Sequence, residues 1–400
     1  MTRVRTARTV ACGPVQPSLD GVLVADFSRV LAGPLCTMVL ADLGAEVVKV
    51  ERPDGGDDTR HWGPPYVEEG STYYLGLNRG KRSLALDLGD PADVALAREL
   101  ARRADVVVES FRPGLMARWG LDHETVARDN PGVVTCSISA FGSGEAAARL
   151  PGYDLLLQAM SGLMSVTGEP DGRPLKVGAA LIDMVCGLHA AIGVLAALRA
   201  RDRDGAGQRI EVNLMDSALA GLLNQGSAHV LAGVVPGRLG NRHPSITPYE
   251  TFRAADGELA VACGNDAIFA RLCAAIERPA LATDERFATN SARLEHRDAL
   301  GAELEARFAT LPAAEWVTRL TDAGVPAGPI HDVAQAFAFA EELGLEPVVE
   351  VDGVRTVRSP LRLSGTPVEV RRRPPRLGEH SAALREWLSS PAPPGPPPAG

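Results

Sequence analysis

The residue in this chain best suited to covalent chemistry is Asp183, the lone acid in the apolar run 178–198, Gly-Ala-Ala-Leu-Ile-Asp-Met-Val-Cys-Gly-Leu-His-Ala-Ala-Ile-Gly-Val-Leu-Ala-Ala-Leu. A run that long and that apolar predicts a buried helix, and a buried carboxylate is costly unless it is paired or used. Gly187, one helical turn after Asp183, carries no side chain to cover the acid and is expected to leave space for a ligand. A desolvated aspartate with one open face can attack an acyl carbon and hold the acyl group covalently. The same pattern also fits a buried aspartate satisfied by backbone amides or by an arginine. His189 falls off the Asp183 face of such a helix and reads as structural.

Holding such an acid in place takes a rigid frame, and the N-terminal half has the pattern of one. Residues 22–26, 46–51, 83–87, 105–109 and 132–139 read as strands, with helices at 32–43 and 91–103, the latter opened by Pro91. Strands separated by helices imply parallel βαβ units in an open, doubly wound sheet. Helices are expected to dominate from 179 to about 231, and the Gly/Pro/His-rich stretch 234–248 reads as a linker. Beyond it, 249–252 and 259–263 flank Asp256-Gly257 as a hairpin, helices follow to 320, and residues 348–363 are β-rich.

Several function classes are excluded early. The first strand-to-helix turn reads Phe27-Ser-Arg-Val-Leu-Ala-Gly33-Pro34, without the G-x-G-x-x-G that brings backbone close to a pyrophosphate, and no P-loop occurs. The net charge of −9 opposes sequence-independent binding to nucleic acid or an anionic membrane, so a polyanionic ligand needs a local basic patch. The apolar run around Asp183 is about long enough to span a bilayer, but Asp183 and His189 interrupt it and it reads as a core helix. The six cysteines (Cys12, Cys36, Cys136, Cys186, Cys263 and Cys273) form no C-x-x-C pair, which fits reduced thiols in a cytoplasmic protein without a metal site. Residues 1–16 contain arginines but no apolar core of a signal peptide.

Taken in order, a set of spaced segments resembles the class III CoA-transferase family, also called the CaiB/BaiF type. They are Asp26-Phe-Ser-Arg-Val-Leu-Ala-Gly-Pro34, Ala41-Asp-Leu-Gly-Ala-Glu-Val-Val-Lys-Val-Glu51, Gly56-Asp-Asp-Thr-Arg60, Asn78-Arg-Gly-Lys-Arg-Ser83, Glu109-Ser-Phe-Arg-Pro-Gly114, Gly152-Tyr-Asp154, the Asp183 segment, Gly205-Ala-Gly-Gln-Arg209 and Gly324-Val-Pro-Ala-Gly-Pro329. The resemblance implies an acyl-CoA:carboxylate CoA-transferase in which Asp183 is acylated, giving an anhydride and then an aspartyl-CoA thioester, with coenzyme A as substrate and no tightly bound cofactor. It implies contact of CoA with Val30, Leu31, Ala32, Arg52, Leu86, Ser110, Phe111 and Arg118, with Arg60, Lys81 and Arg82 as further phosphate candidates. The amides opening the helix at Ala32 are a further anion site. Asp154 reads either as an acid that supports Asp183 or as the cap of its own helix.

The same fold houses α-methylacyl-CoA racemases, which need an acid/base pair across the α-carbon. Their branch has histidine where this chain has Tyr153, and a phenol with a pKa of about 10 is a poor base near neutrality. Transferase is therefore the reading, with a racemase-like isomerase or a non-catalytic CoA-binding protein as alternatives. The segment Gly240-Asn-Arg-His-Pro-Ser-Ile-Thr-Pro-Tyr249 replaces the glycine run of formyl- and oxalyl-type members and argues for a dicarboxylic or larger acid; Arg242 and His243 read equally as carboxylate ligands or as plain linker. The expected organisation is a flexible leader (1–18), the first part of a Rossmann-like CoA-binding domain (19–232), a smaller inserted α/β domain with its linkers (233–330), a return to the large domain (331–385) and a disordered Pro-rich tail (386–400). The resemblance also implies an interlocked homodimer, and a cytoplasmic location is expected.

Overall fold

The structure is a computed structural model that describes residues 16–391. The leader up to residue 15, with Cys12, and the tail from 392 fall outside the described residues. The chain forms two compact units, the first running to Ser161, then Gly178–Gly226, then from Glu346 on.

In the first unit the elements that matter are β1 (Leu23–Phe27), α1 (Ala32–Asp42), β2 (Glu46–Glu51), β3 (Lys81–Ala85), α2 (Pro91–Arg103), β4 (Val106–Glu109), β5 (Val134–Ser139), α3 (Asp154–Met160), α4 (Leu181–Asp204), β6 (Arg209–Asn213) and α5 (Leu214–Gly221). The six strands make one sheet in the order β3-β2-β1-β4-β5-β6, every neighbouring pair parallel. Val-rich runs such as Val106-Val-Val fit strands covered on both faces. The order reverses between β1 and β4, and in such sheets ligands bind beyond the carboxyl ends of the strands at that point.

Two sequence expectations change here. β6 lies in a stretch expected to be helical; it is a half-exposed edge strand of five residues, too short for its alternation to stand out. β3 begins at Lys81, two residues before the expected start, because Lys81 and Arg82 are inside the sheet.

α4 buries one face only, through Ile182, Cys186, Gly187, Ala190, Val194 and Ala197 among others, while Met184, Leu188 and Ile192 are 40%, 42% and 63% exposed. The helix is long and apolar enough to cross a membrane by length and composition, and its inner face packs along α1. Gly187 belongs to that inner face. A Cβ there would stand 2.5 Å from the Ala32 carbonyl oxygen, so the glycine lets two helix backbones meet and does not clear space for a ligand.

The C-terminal helix Ser381–Ser389 packs Leu384, Trp387 and Leu388 into the same core as Leu23, Leu100 and Val107. Order thus extends past residue 386, where a disordered tail was expected to start. The second unit, Gly162–Val177 and Ser227–Leu345, takes in more chain than the 233–330 expected from sequence. Its strands Tyr249–Arg253, Glu258–Ala262 and Ala327–Pro329 form an antiparallel sheet, with the hairpin at Asp256-Gly257, over a core containing Phe252, Phe269, Phe308 and Trp316.

Gly187→Ala is expected to destabilise the protein by about 1–3 kcal/mol, because neither helix backbone can yield without shifting its partner. Urea unfolding of the two proteins measures this, and an unchanged midpoint would refute the close-contact account.

Candidate active site

Where the sheet order reverses, the segments after β1, β4 and β5 enclose a cavity of about 450 Å³, and Asp183 is on its wall with Val30, Leu31, Ala32, Ser110 and Phe111. Asp183 lies in the first turn of α4, whose leading amides need acceptors from outside the helix. Asp154 supplies one: its Oδ1 accepts from Ile182 N at 2.8 Å and from Asp183 N at 3.2 Å, and its Oδ2 accepts from Gln158 Nε2 at 2.5 Å. The residue at the N-cap position of α3 is Tyr153, without a side-chain cap, so Asp154 caps the helix of Asp183 and not its own.

Among the described residues nothing donates a hydrogen bond to the Asp183 carboxylate. Burial and, second, the charge of Asp154 push its carboxyl up to about 7. The proton is therefore poised near neutrality. Tyr73 was not anticipated from sequence. Its phenol is raised by burial and then by the charges of Asp183 and Asp154, which places it in their field, and Trp62 meets its ring edge-on at 5.3 Å. No local pattern in Ser71-Thr-Tyr-Tyr74 announces this.

A neighbouring cavity of about 630 Å³ is lined by Arg52, Leu86, Phe111 and Arg118, and it shares Arg29, Phe111 and Leu115 with the first. Arg29, also missed in the sequence, stacks over Phe111 at 5.2 Å, and Trp119 meets the same ring edge-on. Asp58 accepts from Arg52 at 2.8 Å and lies 3.7 Å from Arg29. Arg118 has no carboxylate partner among the described residues. The Ser110 hydroxyl accepts from Arg29 N at 2.9 Å, so it also braces the turn after β1.

The remaining basic candidates have structural employment. Lys81 is fully buried on Asp26; Arg60 forks onto Glu51 and lies 3.7 Å over the Tyr74 ring; Arg82 pairs with Glu46 at 2.7 Å. Against the phosphate-binding expectation, each of the three is already paired with an acid, nine residues away for Arg60 and 55 for Lys81. In the second unit, Arg242 pairs with Glu250 and Asp298, while His243 Nδ1 accepts from Ser245 N at 3.0 Å. Arg242 thus ties its segment to a strand and a helix of the same unit, and His243 closes a local turn. His189 meets Ser217 at 3.1 Å, as befits a structural residue.

Residues 19–381 match the profile of CoA-transferase family III. Succinate–glutarate CoA-transferase of Agrobacterium fabrum is 42% identical over 393 residues, covering 94% of this chain and 96% of that protein. Acetyl-CoA:oxalate CoA-transferase of Acetobacter aceti is also 42% identical (94% and 98% covered), and human succinyl-CoA:glutarate CoA-transferase is 38% identical (92% and 86% covered). Among solved structures, a CaiB/BaiF family protein from Brucella suis superposes with a TM-score of 0.84 at 42% identity, covering 94% of this chain and all of that one.

The raised Asp183 carboxyl has a consequence for stability. Between its ordinary value of 3.8 and about 7 the unfolded chain gives up this proton first, so stability falls as pH rises through that window. Asp183→Asn is expected to be more stable than the parent at pH 8 by on the order of 1–2 kcal/mol, after allowance for partial solvent screening, with the difference fading below about pH 4. Urea unfolding across pH reads this; parallel stability curves would show that Asp183 titrates normally.

Proposed function

The chain belongs to CoA-transferase family III and is a CoA-transferase acting between acyl-CoA and a carboxylate, and on that premise we propose that Asp183 is its acyl-accepting nucleophile. The observation that carries this is a carboxylate with no hydrogen-bond donor among the described residues, raised to about 7 by burial, on the wall of a cavity whose neighbour presents arginines. In the proposed reaction an Asp183 oxygen attacks the thioester carbon, the C–S bond breaks, and CoA leaves as thiolate. The thiolate then attacks the aspartyl carbonyl of the mixed anhydride, releasing the first acid and leaving an aspartyl-CoA thioester. An incoming carboxylate attacks that thioester to form a second anhydride and free the thiolate again. Attack of the thiolate on the new acyl carbon yields the second acyl-CoA and restores Asp183. Each intermediate retains the thioester's free energy, so neither a metal nor ATP enters the balance; the apolar wall suits the exclusion of water that would hydrolyse it.

The nucleotide of CoA is assigned to the second cavity, with Phe111 and Leu86 against the base and Arg52, Arg118 and Arg29 toward phosphate. Asp58 then stands in for phosphate on Arg52 and Arg29 until CoA arrives. The relatives at 42% identity are named for succinate and glutarate or for oxalate, which supports a short dicarboxylate as acid substrate. Asp154 acts as a positioning acid through its cap on α4.

A second copy of the chain is assigned to the exposed apolar face formed by α3, α4 and α5, where Leu155, Met160, Leu188, Ile192 and Leu219 are each at least 42% exposed. The working compartment is taken as the cytoplasm, where the buried free thiols of Cys36, Cys136 and Cys186 would stay reduced.

Mixing the protein with succinyl-CoA and measuring intact mass should reveal an acyl or CoA adduct that hydroxylamine removes and Asp183→Ala lacks. Its rate of formation should rise with pH and level off above about 7. An adduct persisting in the alanine variant would move the nucleophile elsewhere. Ile192→Glu is expected to shift the protein from dimer to monomer in sedimentation velocity, and an unaltered sedimentation coefficient would mean that another face, or none, pairs the chains.

A further inference from the structure

Three consecutive amides after β1 are each captured by a side chain from a different part of the chain. Ser28 N donates to Asp26 at 2.9 Å, Arg29 N to Ser110 at 2.9 Å, and Val30 N to the two oxygens of Asp57 at 3.3 and 3.4 Å. Val30 adopts φ = 71°, the left-handed region that a β-branched residue rarely enters and keeps only where its surroundings impose it. Asp57 is itself fixed. Its Oδ2 lies 2.9 Å from Lys49 Nζ, both side chains have no solvent exposure, and its Oδ1 accepts from Thr59 N and Oγ1 at 3.0 and 2.8 Å. The same Lys49 ammonium donates to the Ser28 carbonyl at 2.9 Å, so one buried ion pair grips both ends of the turn. The turn is also folded tightly onto α1: a Cβ at Gly33 would fall 2.2 Å from Ser28 Cβ.

We propose that Asp57, anchored by Lys49, is a positioning residue of the acyl-CoA site: it holds Val30 in the left-handed conformation and so fixes where the peptide groups of Val30, Leu31 and Ala32 stand in the cavity that Asp183 lines. This rests on the reading of that cavity as the acyl-CoA site. Stability alone gives no reason for a valine at φ = 71°, since glycine or asparagine would make the turn without strain. With the clamp intact the strain is borne; without it, Val30 relaxes to negative φ, its peptide planes turn, and the cavity wall moves by a distance that matters for thioester alignment.

The test compares the full-length wild type with Asp57→Asn, Val30→Gly and the double variant, by calorimetric titration with CoA, steady-state kinetics with succinyl-CoA, and thermal unfolding. Asp57→Asn should weaken CoA binding about tenfold or more and raise KM by more than it lowers kcat. Adding Val30→Gly should bring CoA affinity back to within about threefold of wild type, because glycine takes positive φ without the clamp. A double variant that is as folded as Asp57→Asn and binds no better would overturn the proposal, since a purely structural Asp57 would not be rescued at that position. If Asp57→Asn does not fold, Val30→Gly alone decides: relief of strain predicts an unchanged or higher Tm, and a lower Tm overturns the clamp. Failure of the wild type to bind CoA would instead sink the reading of the cavity, while the Tm of Val30→Gly would still report on Val30.

Discussion

The site depends on four charges removed from water beside the first three strands: Asp26 near the carboxyl end of β1, Lys49 within β2, Asp57 in the loop after it, and Lys81 at the start of β3. Asp26 on β1 stands in register with Lys49 on β2, and Lys81 comes from β3; with Asp57 they form two buried pairs of zero net charge. Burial alone would raise the Asp26 carboxyl, but Lys81, Lys49 and the hydroxyls of Ser28 and Thr37 together hold it at about 2. Burial lowers Lys81 to about 8, against the pull of Asp26, so both remain ionised at neutral pH. Such a seam is a poor way to gain stability, because desolvation consumes most of the attraction. What it supplies is direction. Lys81 donates to the Pro34 carbonyl at 2.9 Å and to Asn78 at 2.9 Å, and Thr37 donates to Asp26 at 2.6 Å, which fixes the start of α1 over the strand ends.

From there the order propagates by contact. The carbonyl of Ala32, in the first turn of α1, meets α4 at Gly187, one turn from Asp183, so the two walls of the cavity are registered through backbone rather than through flexible side chains. Arg29 extends the same frame outward by stacking on Phe111, and both residues line the cavity of Asp183 and its neighbour alike. Arg29 and Arg112 stand on the wall of the Asp183 cavity as well, so positive charge reaches from the second cavity to within the first.

Sequence gave good access to whatever is local. Helices over 32–42 and 91–103 and most of the strands follow from periodicity and from Pro91, and Asp183 stands out as one acid in an apolar run. Pairings across long stretches of chain left no such mark. Lys81 and Arg82 look like solvated cations in Asn-Arg-Gly-Lys-Arg-Ser, yet Lys81 meets an acid 55 residues away and Arg82 is buried beside Glu46. Gly187 was legible as important but not for its reason, because the carbonyl that it accommodates lies on another helix. β6 was lost because a half-exposed edge strand carries little apolar pattern, and Tyr73 because proximity to Asp183 is purely tertiary.

The cap that Asp154 places on α4 bears on how reactive a carboxylate can be at a helix start. Free amides at a helix N-terminus attract anions, and they also make an anion a weaker Lewis base by occupying its lone pairs. Ile182 N and Asp183 N are the donors that would do this to Asp183, and Asp154 has already taken both. One carboxylate thus absorbs the helix's demand for negative charge so that its neighbour keeps its lone pairs available. Their mutual repulsion, which costs stability, sharpens the second acid as an electron-pair donor.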